Sequence, residues 1–132
     1  MLLAVQLGAI ATSAPQPACL QVGNMEEVEV ALEGRLTVGE FAGPPNYQDV
    51  RRGDALERAS LIELSQPICV ANGGVERIRR VQLFSSRGSI GQRLEPARGH
   101  RIRIRGEGFG AHTGHHHTPL VVDVRELEIL GR

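Results

Sequence analysis

The chain has 132 residues, and its fifteen basic and fifteen acidic side chains cancel. That length supports one modest core but not two, and the charge balance argues against the strong basic field of a nucleic-acid or membrane-surface binder. All the basic residues are Arg, Trp is absent, and the aromatics are Phe41, Tyr47, Phe84 and Phe109, so stacking platforms are few and no nucleic-acid partner is expected.

Residues 1–18 read as a signal peptide. Leu2 to Ala11 form an apolar run of export-signal length, too short to span a bilayer, and the small residues Ala11, Ser13, Ala14 and Ala18 follow it. The positive leader is missing, since the first Arg is Arg35. A buried first strand is the competing reading. Gln16-Pro17-Ala18-Cys19 lacks the aliphatic residue expected three positions before a lipidated Cys. The expectation is therefore a single domain over 19–132, with no transmembrane segment, in the periplasm or secreted. Cys19 and Cys69 fit that address, because an even cysteine count in an exported small domain suggests a disulfide. A metal-binding pair is set aside, since no C-x-x-C occurs.

The first strand is expected over about Glu26 to Val38. Val28, Val30, Leu32, Leu36 and Val38 keep a period of two, with Gly34 as a bulge or close-packing point. Residues 39–56 read as a long loop shaped by Pro44 and Pro45. A second strand covers about Glu57 to Leu64 and leads into Pro67-Ile68-Cys69-Val70. After the turn signal Asn72-Gly73-Gly74, a third strand runs from Val75 to Phe84, with Val81 and Leu83 inward. Ser86 to Leu94 is the one credible helix, capped by Ser86 or Ser89, with Ile90 and Leu94 on one face and Pro96 and Gly99 ending it. A fourth strand, His100 to Phe109, points Ile102 and Ile104 one way and Arg101, Arg103 and Arg105 the other. The arginine row reads as a solvated face paired with cross-strand carboxylates. The fifth strand is Thr118 to Val124, with Leu127 and Ile129 extending its pattern.

Three strands, a short helix and two more strands are the order of an all-β, five-stranded OB-fold-like Greek-key barrel. A small β-sandwich is the alternative. In an OB-fold the loops after the first and fourth strands flank one binding face. Here those loops are the Gly-Pro-Pro-Asn-Tyr segment and Gly110-Ala111-His112-Thr113-Gly114-His115-His116-His117-Thr118-Pro119, which holds four of the five histidines.

Those motifs, together with Gly53-Asp54 and Pro67-Ile68-Cys69-Val70, carry a resemblance over about Cys19 to Leu130. The chain resembles an uncharacterised family of small exported bacterial proteins, a domain of unknown function numbered 4431. The resemblance implies an address outside the cytoplasm and no activity. It carries over no functional residue.

Two functional readings follow. In one, the domain binds another protein or a cell-envelope ligand through Asn46, Tyr47, Asp54 and His116, with the other histidines as loop architecture. In the other, His115 and His117 share one side of an extended segment, His112 closes the set, and three imidazoles bind Zn²⁺ or Cu²⁺. An enzyme is the weakest reading, since no nucleophile elbow, H-E-x-x-H or phosphate-binding glycine loop occurs.

Overall fold

The computed structural model describes residues 19–23 and 26–132, so the expected signal peptide lies outside the described residues. Among the described residues the strands are β1 (Leu20–Gln21), β2 (Val28–Ala42), β3 (Leu56–Ala71), β4 (Val75–Phe84), β5 (Arg101–Gly110) and β6 (Leu120–Gly131), with one α-helix, α1 (Gly88–Leu94). β2, β5 and β6 are joined antiparallel, β6 pairs parallel with β4, and β4 returns antiparallel to β3, which pairs with β2. Hydrogen bonding therefore closes five strands into a ring, in the OB-fold order, with α1 between the third and fourth of them.

The alternation read along β2 holds, since Val30, Leu32 and Leu36 are buried with Ile62, Val81, Leu83, Ile102, Ile104, Leu120, Val122 and Val124 in one core. Gly34 is a close-packing point: a Cβ there would stand 2.0 Å from the carbonyl oxygen of Glu63. At this residue β2 pairs both with Leu64 of β3 and with Ile102 of β5. Outside the ring, Arg103 lies 3.2 Å from both Glu33 and Glu128, and Arg101 and Arg105 face Glu33 and Glu126. The arginine row is the carboxylate-paired, solvated face expected, and each exposed pair adds at most about 1 kcal/mol.

Several boundaries differ from the expectation. β2 continues to Ala42, because Phe41 and Ala42 pair with Glu57 and Leu56. β3 passes through Pro67 without ending, since the proline falls within the register shift between Glu63 and Ile68, where its missing N–H breaks no ladder bond. β6 is one strand to Gly131. Neither serine caps α1: Arg87 is the cap residue and its side chain makes no capping bond. Ser86 instead donates its N–H and Oγ–H to the buried Asp123 of β6, at 2.9 and 2.8 Å, tying the start of the helix to the ring. Cys19 and Cys69 form a disulfide, which fastens β1 beside β3.

Candidate functional site

The loop between β2 and β3 closes on itself. Gly43 N–H donates to Ala55 O at 2.7 Å and Ala55 N–H to Pro44 O at 2.8 Å. Its organiser is Asp54. This residue is 5 % exposed, and its carboxylate accepts the backbone N–H groups of Asn46, Gln48 and Asp49 at 2.8–2.9 Å. Those donors hold the carboxyl below the usual aspartate range. Asp54, expected from the sequence at a contact surface, is buried within the loop. Its geometry spends both oxygens on the loop's own backbone.

What Asp54 holds in place is Tyr47. Tyr47 has φ 55°, a left-handed conformation that costs a residue with a Cβ about 1–2 kcal/mol. The turn aims its ring across the gap to the histidine loop, residues 111–119. There the ring lies over Gly114, where an added Cβ would come within 2.6 Å of a ring carbon. The phenol oxygen sits 3.2 Å from Nε2 of His115.

The histidine loop lies against the outer side of the ring. Gln82 of β4, buried although its strand neighbours Val81 and Leu83 face the core, clamps it at two points. Its Nε2 donates to His115 O at 3.0 Å, and its Oε1 accepts His117 N–H at 2.6 Å. Thr118 Oγ1 accepts Gln82 N–H and donates to Leu120 O. Leu61, Phe109 and Val121 are buried yet stand apart from the main core, a second apolar layer on the outer face.

Four histidines then separate into two pairs. His115 Nδ1 lies 2.8 Å from Glu57 Oε2, and His117 Nε2 lies 2.7 Å from Glu57 Oε1. One carboxylate at the start of β3 therefore bridges two imidazoles, while His117 stacks on Phe41 with centroids 4.2 Å apart. Burial works against the charge on Glu57, but the bonds from His117 and His115 outweigh it and leave the carboxyl below the usual glutamate range. His112 and His116 pack together with centroids 4.7 Å apart, both against Phe109. His116 Nδ1 accepts the N–H groups of His112 and Thr113 at 3.0 and 3.2 Å. Burial, and next the positive charge of the neighbouring histidines, lowers its pKa.

The three histidines read as metal ligands are thus divided: His115 and His117 turn to Glu57, and His112 to Gly110 O at 3.0 Å and to His116. Among the described residues, no three His, Cys, Asp or Glu side chains form a group that could hold a metal ion. Chemically, phenol, imidazole and carboxylate stand in a line along which a proton can pass, with Glu57 orienting His115. Asn46 is exposed and His115 is 61 % exposed at its side chain. Glu57 and Gln82 are not legible as site residues in the sequence. Each sits in an alternating strand where a polar residue reads as solvent-facing, and only the loop folded over them gives them partners.

No curated protein and no solved structure matches the chain. The stretch matched by a family model starts within β4 and takes in α1, β5, the histidine loop and most of β6, while the Tyr47 loop falls outside it. Residues 80–128 match the model of a family described as a domain of unknown function, DUF4431.

Proposed function

We propose that the protein is an exported binding module, periplasmic or secreted, that captures another protein or a cell-envelope ligand without converting it. The ligand docks where the two loops meet, on Asn46, Tyr47 and His115. One observation carries this reading: residues from two distant loops are joined at the surface by the Tyr47–His115 contact, and each loop is fixed from behind, by Asp54 and by Gln82. Rigid loops on a rigid scaffold are what recognition without large ordering cost requires. The loop pair flanks the face that OB-folds use for ligands. The Cys19–Cys69 disulfide supports an oxidising compartment, and among the described residues no helix is long and apolar enough to cross a membrane.

The test is an NMR titration of isotope-labelled protein with solubilised envelope glycans and, separately, with fractionated envelope proteins. Shifts concentrated in residues 43–55 and 111–119, and lost in Tyr47→Ala, are the expected result. Shifts that map elsewhere, or none with any fraction, would remove the reading.

A further inference from the structure

We propose a second binding site: an open strand edge of β2 that takes an extended, basic peptide segment of a partner protein by strand addition.

The edge follows from register. β2 pairs with β3 only from Gly34 to Ala42, whereas it pairs with β5 from Val28 to Arg35. Residues 28–33 are therefore bonded on one side alone among the described residues. Which groups face the free side can be worked out. Leu36 N–H donates to His100 O, and the β2–β5 pairing keeps constant register back to Val28. In an antiparallel ladder, bonded pairs alternate, so the even-numbered residues bond β5. The N–H and C=O groups of Glu29, Ala31 and Glu33 point the other way, where β3 would have continued.

β3 does not continue there because its register shifts between Glu63 and Ile68 and its far end pairs with β4 and β1. The result is a cleft of about 620 Å³ between β2 and the disulfide-fastened end of β3. Glu29 to Leu32 form one wall, and Leu20, Pro67, Ile68, the Cys19–Cys69 bridge, Val75 and Arg77 form the other. Leu20, Val28 and Ile68 are only partly buried against the core, and Val75 is 74 % exposed. An unpaired edge beside apolar side chains is the combination strand addition uses: main-chain bonds supply affinity and alternate side chains fill the groove.

Charge selects the occupant. Glu29 lines the cleft opposite Arg77. Glu27 lies beside Glu29 in the adjoining outer groove, where Glu27, Glu29, Glu107 and Glu126 outnumber Arg87, Arg105 and Arg125. Neither Glu27 nor Glu29 forms an ion pair among the described residues. A second copy of the chain is disfavoured. Antiparallel self-pairing centred on Ala31 would set Glu29 against the partner copy's glutamate at position 33, and like charges directly opposite destabilise a sheet. A strand alternating apolar with basic residues places its apolar side chains over the cleft and its cations along the carboxylates.

The probe is a capped octapeptide of alternating valine and arginine, compared with one of alternating valine and glutamate, by calorimetry and amide-shift mapping. The arginine peptide is expected to bind with shifts centred on Glu29, Ala31 and Glu33, and at least about tenfold more tightly than the glutamate peptide. Ala31→Pro removes an edge N–H and should weaken it by at least about tenfold. If that variant does not fold, Glu29→Arg, at an exposed position, should reverse the preference between the two peptides. Equal affinity for both, shifts elsewhere, no binding, or full affinity in whichever variant folds would overturn the proposal. So would light scattering showing that the free protein self-associates through this edge.

Discussion

Tyr47 and His115, 68 residues apart, share a hydrogen bond of 3.2 Å, and the residue before His115 is a glycine over which the Tyr47 ring lies. The contact has two separable parts, the polar bond and the seat for the ring. Tyr47→Phe removes only the bond and should cost about 0.5–1 kcal/mol, since the site is partly exposed. Gly114→Ala puts a methyl group where the ring lies, and the expected cost is that of overpacking, about 1–3 kcal/mol. Chemical denaturation of the two variants, with hydrogen exchange of residues 43–55, checks the order. Equal effects would mean that the ring seat contributes nothing.

Glu57 bridges two imidazoles, so Glu57→Gln should lower stability by about 1–3 kcal/mol: an amide offers one acceptor and turns a donor toward the second ring. The pH dependence follows from its lowered carboxyl pKa. The folded value lies below the ordinary 4.5, so the contribution is complete above that pH and is lost as pH falls through the folded value. Asp54 acts in the same direction below its ordinary 3.8. Melting curves between neutral pH and pH 3 should therefore be less steep in Glu57→Gln than in the wild type, yet not flat. A flat profile would assign the whole effect to Glu57.

His116 supplies a third test. Its Nδ1 accepts two backbone N–H groups, so the neutral ring carries its proton on Nε2. Because burial lowers its pKa from the ordinary 6.5, the folded loop is favoured above that pH and weakens as pH drops below it. Nitrogen-detected NMR should show the Nε2–H tautomer and a midpoint below 6.5. A midpoint at or above that value would show that the ring does not serve as this acceptor.

The disulfide joins cysteines 50 positions apart in sequence. In the chain-entropy model a closed loop of that size stabilises by about 4 kcal/mol. Reduction, or Cys19→Ala with Cys69→Ala, should remove a large part of that and loosen β1 first, since β1 pairs only over Leu20 and Gln21. Hydrogen exchange at residues 20–22 and 68–71, before and after reduction, makes the measurement.

The strands were legible where apolar residues alternate cleanly, as from Val28 to Val38, because period-two burial is a local property. The meeting of the two loops was legible too, but only through the strand order. β1 was not, since two residues carry no period. Nor was the inward turn of Asp54, whose partners are three backbone N–H groups that no residue type announces. The division of the histidines depends on Glu57, which becomes their partner only when β3 passes beneath the loop.

The histidines also separate the metal reading from the architectural one. Zn²⁺ or Cu²⁺ would need lone pairs from His112, His115 and His117 at one point. Here His115 and His117 each direct a ring nitrogen at Glu57, His115 meets the Tyr47 hydroxyl with its other nitrogen, and His112 pairs with His116. Ligation would have to break several of these bonds before forming its own. Micromolar Zn²⁺ or Cu²⁺ at neutral pH is therefore expected to leave the melting temperature unchanged, whereas a metal bound to the folded state alone would raise it with the logarithm of concentration. His117 has a side chain only 9 % exposed and is stacked on Phe41, so His117→Ala should cost about 1–3 kcal/mol with no metal present. His115→Ala, at the exposed end of the same carboxylate, should cost less. A metal-dependent rise in melting temperature that both substitutions abolish would reverse the assignment, and would make Glu57 a group displaced by the metal rather than the histidines' resident partner.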